Sequence, residues 1–262
     1  MSAITLEGEI VHYEVLGRGR PLLFIHGWVG SWRYWIPAMQ AASMAFRAYS
    51  LDLWGFGDTN KNAELYSLEN QIKLIEDFME YLGIGKIALV GHGLGAVVAL
   101  SLAQRNPVVV DRVMATGLPV NPNSVNPRLR TAPLGELADW LLGRLPVTEA
   151  ARNEAPKADP KAVLVSLDDL AQMDMVELSM NLTTPCLLVH GQNDPAVEML
   201  PYDMIATLPE QTHHVIFEQS GHFPMLDETS KYNRLLSDFL VLNSGESPRQ
   251  LQLKEEWKRR VR

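Results

Sequence analysis

Two hydrophobic periods alternate along this chain, and that alternation limits the fold more than any other feature. Pro21–Ile25, Lys86–Val90, Arg112–Thr116, Cys186–His190 and His214–Phe217 are short, continuous apolar runs, and the first four stop at Gly27, Gly91, Gly117 and Gly191. Runs without polar alternation suit strands covered on both faces. Ile10–Val15 alternates instead, as a half-exposed strand does. Between the runs, Ser67–Leu82 places Ile72, Ile75, Phe78, Met79 and Leu82 at helical spacing behind Ser67 as N-cap. Gly95–Arg105 is small and apolar almost all round, which predicts a buried helix, and Ser230–Leu242 is amphipathic. Strands alternating with helices predict an α/β core with a mostly parallel sheet and right-handed crossovers.

One stretch breaks the pattern. From Leu118 to Met180 the chain has no strand signal, recurrent prolines, and two segments of helical character, Ala132–Leu145 and Lys161–Leu178. A strandless insertion of this length over a sheet is a candidate helical lid. The alternative is a loose connection, which is uncommon at such lengths. The expected organisation is a core of residues 1–117 and 181–243, a cap at 118–180 and a tail at 244–262.

The segment Ile87–Leu100 reads as strand, then Gly91-His92-Gly93-Leu94-Gly95, then helix. It resembles the nucleophile elbow of the α/β-hydrolase family, Gly-x-Ser-x-Gly, in which small flanking residues permit a sharp strand-to-helix turn. Here Gly91 and Gly95 take the flanking places and Gly93 stands where the family has serine. The resemblance extends along the chain. His26-Gly27-Trp28 looks like the family's oxyanion loop, and Asp52-Leu53-Trp54-Gly55-Phe56-Gly57 like its Asp-x-x-Gly-x-Gly turn. Asp194, in Gly191-Gln192-Asn193-Asp194-Pro195, sits where the family keeps its acid, and His222, in Ser220-Gly221-His222, where it keeps its base.

The resemblance implies an α/β-hydrolase fold and ester or related acyl hydrolysis by small bacterial-type members. It also implies a His222–Asp194 pair and an oxyanion hole made by the backbone N–H groups of Trp28 and Leu94. Backbone donors survive a side-chain replacement, so the attacking group alone is missing. In a serine hydrolase its removal costs about a millionfold in turnover. Ser31, Cys186 and His92 are poorly placed to substitute.

Three explanations of Gly93 stand. The chain is non-catalytic and binds a small apolar or aromatic ligand in the old pocket. It is a serine-free enzyme in which His222, oriented by Asp194, acts as general base on water or substrate. Or Gly93 is an engineered Ser-to-Gly change in a serine esterase. A more remote reading is dinucleotide binding through Gly91-x-Gly93-x-x-Ala96. That fingerprint wants an acidic residue at the end of the next strand, where Ala115-Thr116-Gly117 offers none. No cofactor is implied otherwise, and whether any catalysis survives is open.

The remaining features set limits. A net charge of −8 argues against nucleic acid. The longest apolar stretch, 87–103, is broken by Gly91, His92, Gly93 and Gly95, so no membrane span is expected. One cysteine, Cys186, and an N-terminus lacking signal-peptide character predict a cytoplasmic protein without disulfides. His26, beside a glycine, reads as a loop-shaping residue. His213-His214 would point to opposite faces of a strand, so metal is not expected. Trp28, Trp32, Tyr34 and Trp35 either line a pocket or pack in the core. Met173, Met175 and Met180, with Leu170 and Leu178, would give the lid an adaptable apolar underside. The tail from Glu246 has six basic and three acidic residues, with Leu253, Trp257 and Val261 on one helical stripe. It either docks a second copy, giving a homo-oligomer, or packs on its own domain.

Overall fold

The structure is a computed structural model that describes residues 2–251. Its strands are β1 (Ser2–Leu6), β2 (Glu9–Leu16), β3 (Arg20–Ile25), β4 (Phe46–Leu51), β5 (Ile87–His92), β6 (Val110–Thr116), β7 (Cys186–Gly191) and β8 (Thr212–Phe217). They form one sheet in the order β1-β2-β4-β3-β5-β6-β7-β8. β2 pairs antiparallel with β1 and β4, and all other neighbours are parallel. The helices are α1 (Ile36–Ala42), α2 (Leu68–Tyr81), α3 (Leu94–Arg105), α4 (Arg128–Thr131), α5 (Leu134–Leu142), α6 (Glu149–Glu154), α7 (Pro160–Leu170), α8 (Met175–Met180), α9 (Tyr202–Thr207), α10 (Pro224–Asp227) and α11 (Thr229–Leu240).

The continuous apolar runs became the inner strands because both faces of the sheet are covered. Every residue of β5 and β7 is buried, as is nearly all of α3. The chain runs from β3 out to β4, then returns across β3 to β5. Such a reversal opens a crevice beyond the C-terminal strand ends, where ligands bind in open α/β sheets. His26-Gly27-Trp28 follows β3 and Gly93 follows β5, so both loops lie at the C-terminal strand ends where the order reverses.

Two strands, β1 and β4, carry no continuous apolar run and lie outside the strands the sequence pattern predicts. The β4 strand is FRAYSL, whose Arg47 is exposed and whose Ser50 is buried with its hydroxyl donating to Phe24 O at 3.2 Å.

The insertion between β6 and β7 is helical from α4 to α8, with two departures from the sequence reading. The segment Lys161–Leu178 is two helices rather than one. α7 closes at Ala171, and Asp174 restarts the chain as N-cap of α8, accepting from Glu177 N at 2.8 Å. Ala132–Leu145 shrinks to α5, bounded by Pro133 and by Gly143 at φ +60°. Leu170, Met175 and Leu178 are buried, but Met180 is 37% exposed, so that methionine does not belong to an apolar underside.

Side chains tie the C-terminal part to the sheet. Buried Arg112 donates to Phe239 O at 2.7 Å and Asn243 O at 3.2 Å, joining β6 to the end of α11. The beginning of the tail packs on its own domain, where Ser247 Oγ donates to Glu210 O and Arg249 Nη2 to Leu208 O, both at 2.6 Å. Leu253, Trp257 and Val261 lie outside the described residues, and with them the docking role considered for the tail. Among the described residues no helix is long and apolar enough to cross a membrane.

Candidate active site

The turn after β5 is built by glycines. A Cβ on Gly91 would overlap Gly95 O, and one on Gly95 would overlap Ile25 O, so glycine lets α3 press against β3 and β5. Between them Gly93 caps α3 at φ +52°, ψ −112°. An L-residue with a side chain pays roughly 1–3 kcal/mol for such a conformation, whereas glycine adopts it without a Cβ clash. The sharp turn implied by the motif is therefore present, with no side chain on its apex.

Trp28 covers that apex. A Cβ on Gly93 would lie 3.2 Å from Cε3 and Cζ3 of the Trp28 indole and 3.7 Å from Gly27 Cα. The indole is held from the far side. Its Nε1–H donates to Ser166 Oγ of α7 at 3.0 Å, and that hydroxyl donates to Val163 O at 2.9 Å. Trp28, Ser166 and His222 are all buried. The two backbone N–H groups expected as oxyanion donors are those of Trp28 and Leu94. Leu94 is the first residue of α3, whose N–H has no intrahelical acceptor, and Trp28 N follows Gly27.

His222 and Asp194 come together from the loops after β8 and β7. His222 Nδ1 donates to Asp194 Oδ2 at 2.8 Å, and each side chain is 2% exposed. Asp194 Oδ1 also accepts from Ala196 N at 2.8 Å and Val197 N at 3.1 Å. Burial alone would raise the Asp194 carboxyl, but His222 and these two N–H groups hold it below the usual range. An ionised Asp194 keeps the His222 proton on Nδ1 and leaves Nε2 as the basic nitrogen. Gly117, just after β6, has φ +58°, and a Cβ there would lie 3.6 Å from His222 Cε1 in ordinary contact, so backbone conformation rather than space favours glycine.

The other residues singled out in the sequence divide plainly. His26 shapes the loop: its Nε2 accepts from Leu53 N at 3.0 Å and its Nδ1 donates to Gly27 O at 2.8 Å. Trp32, Tyr34 and Trp35 are buried packing residues, with the Trp35 ring 5.1 Å from Phe24. Cys186 is buried, and burial pushes its thiol up to about 12, which removes its thiolate. Ser31 Oγ donates to Glu154 Oε2 at 3.3 Å.

Sequence reasoning missed what anchors the insertion. Glu154 also meets Arg33 at 2.9 Å, Lys157 meets Asp58 at 3.0 Å, and the Tyr66 hydroxyl donates to Asp159 at 2.8 Å. No local pattern marks these residues, because each partner is distant in the chain. Also missed was a cluster of possible ligand atoms, His12, Asp52 and Asp58, all within 4.8 Å of one another. Asp52 already accepts from His12 Nδ1, Trp32 N and Asp58 N, and Lys157 neutralises Asp58, so these atoms serve hydrogen bonds and ion pairs.

The doubly flanked parallel sheet, the glycine elbow and the His–Asp pair past the last strands are those of an α/β hydrolase. The chain matches the model of the Alpha/beta hydrolase family over residues 22–235 and belongs to that family. Among curated relatives it is 27% identical to an uncharacterised protein of Mycobacterium bovis, covering 90% of this chain and 81% of the relative. It is 24% identical to the pimeloyl-[acyl-carrier protein] methyl ester esterase of Aliivibrio salmonicida, covering 88% and 95%. Among solved structures it is similar to a serine-to-glycine mutant of the N-acyl homoserine lactonase AidH, complexed with N-hexanoyl homoserine lactone. That match has a TM-score of 0.79 at 20% identity, covering 91% of this chain and 96% of the lactonase.

The buried histidines give a test of this interior. Of seven histidines, burial lowers the pKa of His26, His92, His190, His213 and His214, taking His190 to about 4 and His214 to about 3. His190 Nδ1 and His214 Nε2 lie 3.2 Å apart, so one neutral ring donates to the other. A neutral buried histidine stabilises the fold fully above about pH 6.5, and the contribution is lost as pH falls, because the unfolded chain takes up the proton first. His12 works oppositely: burial would lower its pKa, but Asp52 raises it, so its contribution is lost as pH rises. The five outweigh the one. We expect the urea midpoint to fall between pH 7 and pH 5, with His190 alone contributing a slope of about 1.4 kcal/mol per pH unit below 6.5. A midpoint that holds or rises over that range would contradict the buried neutral state.

Proposed function

We propose that this protein is an α/β hydrolase that has lost the covalent serine step and keeps the rest of the site as a binding pocket. Its ligand is a small apolar or aromatic molecule of ester or lactone type, the chemistry named for the esterase and lactonase relatives. The observation that carries this reading is the Trp28 indole, which lies against the position a residue-93 side chain would occupy and is fastened to Ser166. In a working serine hydrolase that space belongs to the attacking hydroxyl. Here it is aromatic surface.

The remaining groups suit recognition. Trp28 N–H and Leu94 N–H point a pair of donors and the start of α3 at a ligand carbonyl, and His222 Nε2 faces it as a polar partner. The α5–α8 segment acts as a lid over the apolar part. The lactonase mutant with glycine in place of one serine is solved with its acyl lactone bound, which fits retention of a ligand after loss of a hydroxyl.

A second reading has its own support. The Asp194–His222 pair is intact at 2.8 Å, and Asp194 is held ionised, which is what a general base acting on water requires. The two readings separate on His222→Ala, with turnover and binding measured on a panel of short esters and acyl lactones. A binding protein gives no turnover, and the variant loses no more than the roughly tenfold in affinity that one polar contact contributes. A serine-free enzyme shows turnover in the parent that falls by about a hundredfold or more in the variant.

A further inference from the structure

Behind the Asp194–His222 pair, a second set of hydrogen bonds joins the loop after β3 to the backbone of His222 itself. Gly27 N donates to Tyr34 Oη at 2.6 Å, Tyr34 Oη lies 3.0 Å from His92 Nδ1, and His92 Nε2 lies 2.9 Å from His222 O. The direction of every bond is determined. A carbonyl oxygen only accepts, so His92 carries its proton on Nε2. Its Nδ1 must then accept, and the available donor is the Tyr34 hydroxyl, whose oxygen accepts from Gly27.

We propose that Tyr34 and His92 are positioning residues that set the His222 imidazole against the oxyanion loop. They act through the main chain, on the peptide just before Trp28 N–H and on the carbonyl of His222, and the His92 ring also packs on the His222 ring with centroids 4.5 Å apart.

The arrangement requires both groups to be neutral, and their surroundings make them so. His92 and Tyr34 are buried, which holds the imidazole well below its usual pKa and the phenol well above. A proton on His92 Nδ1 would face the Tyr34 oxygen and strand its hydroxyl hydrogen without an acceptor. The rings are also braced. Phe223, next to His222, lies 4.7 Å from the His92 ring and 5.3 Å from the Tyr34 ring. Tyr34→Phe therefore keeps the ring packing and deletes one hydroxyl, cutting the chain of bonds between Gly27 and His92. Gly27 O, in the following peptide, accepts from His26 Nδ1 at 2.8 Å, so side chains hold both peptide groups of Gly27.

Two readouts test this, and only the second rests on the function proposed above. The first is imidazole NMR on the unmodified chain and on Tyr34→Phe, with Ser179→Ala as a buried hydroxyl outside the network. His92 should show a neutral Nε2–H tautomer at pH 7. Tyr34→Phe should shift the His222 ring signals, and Ser179→Ala should not. The second adds Tyr34→Phe to Gly93→Ser and follows hydrolysis of a short p-nitrophenyl ester, expecting kcat to fall about tenfold with KM within twofold. An Nδ1–H tautomer at His92, or His222 signals unmoved by Tyr34→Phe, overturns the positioning role. If Gly93→Ser is itself inert, the functional reading fails while the NMR comparison still decides this one.

Discussion

Gly93→Ser is expected to raise hydrolysis of short p-nitrophenyl esters by about a thousandfold or more over the unmodified chain. The reasoning is subtractive. A serine nucleophile is worth about a millionfold in turnover within an assembled site, and the His222–Asp194 pair and the glycine turn such a site uses are present. His222 Nδ1 holds Asp194 at 2.8 Å, and the backbone at residue 93 already has φ +52° and ψ −112°. Part of the full gain is withheld by Trp28, because a Cβ at residue 93 would sit 3.2 Å from its indole. That ring must yield by a few tenths of an ångström before a hydroxyl can reach His222. Ser166→Ala releases the indole N–H and is expected to increase the activity of Gly93→Ser further. Gly93→Ser itself should lower stability by roughly 1–3 kcal/mol, since a side chain is then forced into a backbone region glycine occupies freely. Rates of folded parent and variant are to be compared on the same ester series. A well-folded Gly93→Ser protein that hydrolyses no faster than the parent would sink the view that only the nucleophile is missing.

Asp52→Ala is expected to destabilise the fold by about 3–5 kcal/mol, the range for stripping a buried charge from its partners. Asp52 is fully buried, and its two oxygens accept from Trp32 N at 2.9 Å, Asp58 N at 3.0 Å and His12 Nδ1 at 3.0 Å. These bonds join β2, the segment after the oxyanion loop and the Gly55–Gly57 turn. Alanine leaves two backbone N–H groups and an imidazole without acceptors in a site that water does not reach. Urea unfolding followed by circular dichroism measures the loss. Asp52→Asn should recover part of it, because its amide oxygen can still accept one of the backbone N–H groups. A loss below about 1 kcal/mol would mean that the buried carboxylate stabilises less than its bonds suggest.

The core was legible because its signals are local. Pro21–Ile25, Lys86–Val90 and Cys186–His190 are uninterrupted apolar runs, and a strand buried on both faces needs nothing more specific. Ser67 announced the start of α2, and its side chain accepts from Asn70 N at 3.2 Å. The elbow was legible for a related reason: Gly91 and Gly95 mark backbone approaches too close for any side chain, and glycine is the only residue that fits. Less was legible in the insertion. Nothing in the spacing of Lys161–Leu178 reveals that Asp174 caps a new helix, because an aspartate within a helical period is equally an exposed surface residue. β4 was hidden because Arg47 and Ser50 interrupt its apolar character, and the burial of Ser50 depends on a carbonyl of β3.

What the sequence determined alone is therefore the α/β alternation and the glycine turn without a side chain at residue 93, with the expectation that Asp194 and His222 form a pair. Each of these is set by residue type at a few adjacent positions. What only the tertiary structure decided is the company they keep. Trp28 could have lined an open pocket or packed in the core; it lies over Gly93 because Ser166, far along the chain, accepts its N–H. His92, poorly placed to replace a serine, has both ring nitrogens engaged because Tyr34 and the carbonyl of His222 reach them. Hydrogen bonds between distant segments leave no periodic trace, since they depend on which loops the sheet order brings together. The reversal of direction at β3 gathers those loops at one crevice, and that placement gives Gly93 its aromatic cover.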